Sequence, residues 1–382
     1  MSAERYQSYL LGKWKALFDA ESLIMEEEED LGQEVKVELS PEEFKDRVLG
    51  VVFGAAIGDA IGLATEFQSA VQASVCYGSG VPSLTSPSWK SNFFRDSHRI
   101  HWQEGDWSDD TDQLLLIMRA FCEQQELGSP ITTNFAFLLL SWARQGMSEF
   151  GDSGGCGIGQ TTTKTLLHPD FLTDPHLASA KILKDSGGKA AANGGVMRTA
   201  VTGIPFFYDL DKTASFTVDV CKVTHSDPRC IASSVAIAIT VAMILQGYRD
   251  LSFIQNSAFV YAVGYVGEFD QSELRRYVFP ESIKQLALGD SSSIGYTYKP
   301  MGSAFAALAF DTFEEAIIRI TMEAGDADTN CVVAGAVLGA WLGYNQLPSQ
   351  WRDSLLHQKW LHNFIESFLK CCETGGQHKT QA

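Results

Sequence analysis

The chain has 382 residues, enough for one large domain or two ordinary ones, and an apolar share of 45% that suits a sizeable core. Its formal charge of -18, from 29 basic and 47 acidic residues, argues against nucleic acid and anionic membrane surfaces as partners. No signal peptide opens it, the longest apolar run (residues 230–245) is short for a membrane helix, and eight cysteines without zinc spacing read as reduced thiols in the cytosol or nucleus.

Residues 1–39 read as an extension. Leu10, Leu11, Trp14, Leu17 and Phe18 have helical spacing, and residues 26–30 form an acidic run, either a solvated face or a docking tail. Ser40-Pro41-Glu42-Glu43 is a helix start: a hydroxyl cap, proline at the first position and glutamate three beyond the cap. The predicted helix over 44–67 carries Gly54, Gly58 and Gly62 at four-residue spacing, which lets another helix approach closely. Asp59 sits inside that small-residue face, and Glu66 follows seven positions later, about two turns on the same side. Asp59 reads as a buried hydrogen-bond hub or as support for a site. Residues 72–103, rich in proline, serine and glycine, are predicted as one long loop.

Asp106-Trp107-Ser108-Asp109-Asp110-Thr111-Asp112 then opens a helix over 113–126, with Leu114, Leu115, Ile117, Met118 and Phe121 facing inward. Ser108 can cap it, and aspartates complement its dipole. Four carboxylates in seven residues exceed what capping needs, so a cation is expected to offset their repulsion. Two loops, 151–163 and 186–198, are glycine-rich without a P-loop or dinucleotide fingerprint; each is a plain connection or a place where backbone approaches a ligand. His225 precedes a buried helix over 230–245, as a capping neighbour or a ligand contact. Residues 304–310 and 311–324 are read as further helices, and 351–372 as the last, with a frayed tail behind it. Between them lies Glu323-Ala-Gly-Asp-Ala-Asp-Thr-Asn330, a second acidic cluster leading into a small-residue apolar run. Oxygen-only ligands suit Mg2+, Mn2+ or Ca2+, although acids also cap helices. With two such clusters, joint metal ligation is the favoured reading. No alternating strands are visible, so the fold is expected to be all-α.

Gly58-Asp-Ala-Ile-Gly-Leu-Ala-Thr-Glu66, Trp107-Ser-Asp-Asp-Thr111, Asn193-Gly-Gly-Val-Met-Arg198, Thr224-His-Ser and Gly325-Asp-Ala-Asp-Thr-Asn330 occur in the order seen in ADP-ribosylglycohydrolases, which the chain resembles over about residues 44–369. The resemblance implies a compact orthogonal helical fold over residues 40–372, a tail over 373–382, and two Mg2+ or Mn2+ ions. By motif it makes Ser108, Asp109, Asp110, Asp326, Asp328, Thr329 and Glu66 metal ligands, with Glu66, Asp109 and Asp110 catalytic. It assigns Gly157, Gly159, Gly187, Gly188, Lys189, Asn193, Gly194, Gly195 and His225 to substrate, with helix starts near Gly157 and Asn193 facing its pyrophosphate, and leaves Asp59 as support behind the ligands. The implied reaction is metal-dependent hydrolysis of the C1″ bond joining ADP-ribose to a protein side chain or small acceptor, by a monomer. The alternative is a catalytically silent ADP-ribose binder or a crystallin-like structural protein. Lys189-Ala190-Ala191-Ala192 replaces the Gly, Ser and Tyr of members that cleave ADP-ribosyl-serine, and Asp112-Gln113 is an uncommon continuation of the first cluster.

Overall fold

The computed structural model describes residues 32–78 and 94–377; the reading of residues 1–31 as helix and acidic run lies outside them. Its helices are α1 (Pro41–Gly62), α2 (Ala70–Tyr77), α3 (Asp109–Leu127), α4 (Ile131–Gln145), α5 (Gln160–Leu166), α6 (Pro175–Asp185), α7 (Leu210–Cys221), α8 (Pro228–Leu245), α9 (Leu251–Val263), α10 (Glu268–Val278), α11 (Tyr298–Ala307), α12 (Phe313–Glu323), α13 (Ala327–Leu342), α14 (Ser349–Ser354) and α15 (Gln358–Gln377). Among the described residues there is no sheet, only the isolated bridges Lys36–Tyr248 and Ala192–Tyr296, so the fold is all-α.

Helices α1 and α13 form its axis. They run antiparallel, and each glycine of α1 lies against a backbone carbonyl of its partner. A Cβ on Gly50, Gly54 or Gly58 would stand 2.1 Å from the carbonyl oxygen of Gly339, Gly335 or Cys331, and one on Gly62 would stand 2.5 Å from that of Ala327. Glycine weakens an isolated helix, but here its missing side chain is what permits the contact. The capping box expected at Ser40 is present: Glu43 N–H donates to Ser40 Oγ at 3.2 Å, and Ser40 N–H donates to Glu43 Oε2 at 2.8 Å. Around this pair pack α3, α8, α11 and α12. Helix α8 has the length and hydropathy of a membrane span, yet 89% of it is buried within the fold.

Several expected boundaries move. Helix α1 ends at Gly62, so Glu66 lies in the turn beyond it and reaches its position by that turn rather than by helical periodicity. The expected loop over 72–103 contains α2, started by a second capping box in which Ser69 and Gln72 exchange bonds. The helix expected over 304–310 begins at Tyr298 and ends at Ala307. The last helix is two, because Leu355 is extended between α14 and α15; α15 also runs through residues expected to fray.

Candidate active site

The site forms where the N-terminal ends of α3 and α13 meet the turn after α1. Asp59 ties these pieces together. Buried in α1, it accepts from Ser108 N–H and Thr111 N–H at 3.0 Å each and from the Thr111 hydroxyl at 2.6 Å. Burial pushes its carboxyl up to about 6, against the lowering effect of those donors. The hub expected at Asp59 therefore fixes the height of α3 relative to α1.

Glu66, Asp326 and Asp328 each offer a carboxylate oxygen, all within 4.8 Å of one another. Asp109 and Asp110 adjoin this group: burial raises both carboxyls well above the usual range, and Asp326 is among the charges that add to the shift. Burial likewise raises Asp328 well above its ordinary value, with Glu66 and Asp326 adding to it. Desolvation and mutual repulsion thus act together on Glu66, Asp109, Asp110 and Asp328. A polar atom buried without a partner is costly, and Asp110 Oδ2 is one: it has no hydrogen-bond partner among the described residues. An all-oxygen, desolvated acidic set with an unpartnered oxygen fits a hard divalent cation. Ser108 caps α3 through Asp110 N–H at 3.3 Å, while Thr329 supplies a hydroxyl that eases the charge on Asp110.

Individual acids are held by neutral or cationic neighbours. Gln113 Nε2 donates to Asp109 Oδ2 at 2.8 Å, and Asn193 Nδ2 donates to Asp326 Oδ2 at 2.8 Å. Glu66 Oε2 meets His98 Nε2 at 2.6 Å. Asp112 sits apart, between the indole N–H groups of Trp107 and Trp142 at 2.9 Å each; burial pushes it up to about 7. Behind Gln113 lies Arg198, fully buried, which donates to Gln113 Oε1 and Thr224 Oγ1 at 2.6 Å each and covers the ring of Phe135 at 4.9 Å. Burial pulls its guanidinium down to about 10. Thr224 Oγ1 is 2.7 Å from His225 Nδ1, so one hydrogen-bonded chain joins Asp109 to His225. Burial, and then the Arg198 charge, bring His225 down to about 3, leaving a neutral imidazole.

The glycine loops divide. Gly157, at φ +94°, covers Asp109: a Cβ there would stand 2.3 Å from Oδ1. Gly194 and Gly195 pack against the His225 ring. Gly159 caps the short α5, Gly187 and Gly188 stand at positive φ where a Cβ would meet nothing within 4 Å, Gly188 O accepts from Arg229 at 3.1 Å, and Lys189 is exposed. Asn193 engages Asp326 and precedes a 3-10 turn (Val196–Arg198), not an α-helix start. The structure therefore gathers Ser108, Asp109, Asp110, Glu66, Asp326, Asp328, Thr329 and Asn193, with Gly157 and the His225 wall beside them, and leaves Gly187–Lys189 at a distance from these contacts. Sequence reasoning missed His98, Gln113 as a holder, and Arg198; Arg198 was visible only as the end of a motif, and His98 lies in an aperiodic stretch.

Comparison with known proteins bears on the family and the fold. A family model described as ADP-ribosylglycohydrolase matches residues 40–377. The chain is 26% identical to ADP-ribosylarginine hydrolase Tri1 of Serratia proteamaculans, covering 86% of this chain and 80% of that one. It is 23% identical to the ADP-ribosyl-[dinitrogen reductase] glycohydrolase of Rhodospirillum rubrum, over 81% of this chain and 90% of the relative. A solved structure titled as an ADP-ribosylglycohydrolase-related protein complex superposes with a TM-score of 0.63 at 21% identity, covering 87% of this chain and 99% of that one, and so shares its fold.

Proposed function

This chain belongs to the ADP-ribosylglycohydrolase family, and from that premise we propose that it is a divalent-cation-dependent hydrolase that releases ADP-ribose from a protein side chain or a small acceptor by cleaving the bond at C1″. The observation that carries the proposal is the acidic set itself, with Glu66, Asp326 and Asp328 oxygens within 4.8 Å and Asp110 Oδ2 buried beside them with no hydrogen-bond partner among the described residues. Buried acids without compensation would be expensive to retain for structure alone.

In this reading Ser108, Asp109, Asp110, Asp326, Asp328, Thr329 and Glu66 hold two Mg2+ or Mn2+ ions. When bound, these ions orient ribose hydroxyls and make a water acidic enough to react near neutral pH. The residues then divide the work. Asp59 keeps the α3 end at a fixed height. Gln113 and Asn193 hold one oxygen each of Asp109 and Asp326, so the remaining lone pairs stay directed. The bond from C1″ to the acceptor breaks with its electron pair going to the acceptor, through an oxocarbenium-like state that the surrounding carboxylates stabilise. The attacking water forms the new C1″–O bond and gives its proton to the Asp110 carboxylate, from which it passes to the departed acceptor. Glu66 lies on the reacting-ribose side. Gly157 leaves room for the ligand beside Asp109, His225 offers a neutral ring, and Gly159, Gly187, Gly188, Lys189, Gly194 and Gly195 are assigned to the remainder of ADP-ribose.

The test is release of ADP-ribose from mono-ADP-ribosylated arginine, serine and acetyl-ester substrates, with Mg2+ or with EDTA. Metal-dependent release from one of them supports the proposal and names the linkage. No release from any, beside measurable ADP-ribose binding, would replace it with a silent binder.

A further inference from the structure

We infer that His98 is a positioning residue that holds the Glu66 carboxylate inside the acidic set. The inference rests on the reading of Glu66 as a cation ligand made above. Glu66 stands within 4.8 Å of two other carboxylates, at the end of a turn rather than in a helix. Like charges at that separation drive a side chain outward unless a donor restrains it. His98 Nε2–H is such a donor, 2.6 Å from Oε2, with its ring between those of Phe67 at 5.1 Å and Trp102 at 5.0 Å.

The segment bearing His98 is itself anchored to the same turn. Arg99, fully buried, donates through Nε to the carbonyls of Leu63 and Ala64 at 2.8 and 3.0 Å and through its other arm to the carbonyl of Glu66. These carbonyls lie in the turn that follows α1, and that of Ala64 also accepts from the Tyr77 hydroxyl at 3.0 Å. Asp96 fixes the approach from the other side, accepting from His98 N–H at 3.1 Å and Arg99 N–H at 2.8 Å. The turn is further locked by Phe67, at φ +57°, whose N–H donates to Gly325 O at 2.6 Å while Gly325 N–H donates to Gln68 O at 3.1 Å. A phenylalanine in the left-handed region is strained and persists only where its surroundings enforce it. Consecutive residues therefore grip consecutive parts of one turn: Arg99 its backbone, His98 its carboxylate. Donors that orient ligand carboxylates contribute to metal affinity without touching the metal.

The test is Mn2+ affinity of the full chain, read by paramagnetic resonance or calorimetry, for wild type, His98→Ala, His98→Gln, Glu66→Ala and the double variant. His98→Ala is expected to weaken Mn2+ binding about 10- to 100-fold. His98→Gln, whose amide N–H sits at the same reach, should restore most of it. Adding His98→Ala to Glu66→Ala should change nothing further. Unchanged affinity in His98→Ala, failure of glutamine to rescue, or full additivity in the double variant would each overturn the inference. A wild-type chain that bound no Mn2+ would instead overturn the cation-ligand reading on which it rests.

Discussion

Replacing Asp328 by Asn separates what the acidic set costs the fold from what it does. The change is isosteric, and the amide oxygen can still accept from Thr329 N–H, now at 2.8 Å from Oδ1. It removes like-charge pairs with Glu66 and Asp326, whose oxygens lie within 4.8 Å. At an effective dielectric of about 20, each fully ionised pair at that distance opposes folding by roughly 3.5 kcal/mol. Proton uptake by these raised acids relieves part of it, so a net gain of about 3 kcal/mol is expected for the metal-free variant at mildly alkaline pH. With about 2.1 cal/mol/K of unfolding entropy per residue, a domain of roughly 340 residues shifts by about 1.4 °C per kcal/mol, a rise near 4 °C. Saturating wild type with Mg2+ at about a hundred times its dissociation constant adds about 2.7 kcal/mol, a similar rise. Scanning calorimetry with EDTA or Mg2+ should therefore show the metal-free variant melting above metal-free wild type and indifferent to Mg2+. A variant that melted lower and still responded to Mg2+ would refute the electrostatic account of the site.

Gly54→Ala would drive a methyl to 2.1 Å from Gly335 O, and should cost about 3 kcal/mol or more, read as a fall of at least about 4 °C in melting temperature. Asp59→Asn keeps one acceptor oxygen and turns the other into an NH2 that faces the donors of either Ser108 or Thr111; stability should drop by about 2 kcal/mol, and Mn2+ affinity by about 10-fold although Asp59 is no ligand. His225 is held down to about 3, against 6.5 ordinarily. Its neutral form persists in the folded chain while the unfolded chain takes up a proton below pH 6.5. No stability is lost above that pH, and about 1.4 kcal/mol is lost per unit as pH falls from 6.5 towards 3. Urea midpoints at pH 7 and 5.5 should show a shallower acid loss in His225→Asn than in wild type.

The all-α fold and the paired acidic clusters were legible because both rest on local pattern: caps at Ser40 and Ser108, glycines four apart, aspartates crowded at helix starts. Joining the clusters was legible only as chemistry, through the repulsion that a shared cation would offset. The helix α2 was hidden because its cap, Ser69 with Gln72, stands in a stretch without apolar periodicity. The placement of Glu66 was misjudged for a related reason: the helix stops at Gly62, and what determines the turn is Arg99, distant in sequence from it. Asn193 and Gln113 show the same limit. Each bonds a carboxylate that a spacing rule cannot pair with it.

The matched glycines of α1 and α13 raise a question of alignment. A surface that repeats every four residues can slide by one repeat, about 6 Å or just over one turn, and bring most of its gaps opposite one another again. Gly54, Gly58 and Gly62 would then face the positions now opposite Gly50, Gly54 and Gly58, and close approach alone would distinguish poorly between the two alignments. The ends of the helices do distinguish them. Asp59 finds the N–H groups of Ser108 and Thr111 at one alignment only, and Gly325 accepts from Phe67 N–H and donates to Gln68 O only there. The residues beside the acidic set thus index the helix pair, and a one-repeat slip would disassemble the site while leaving the core packed.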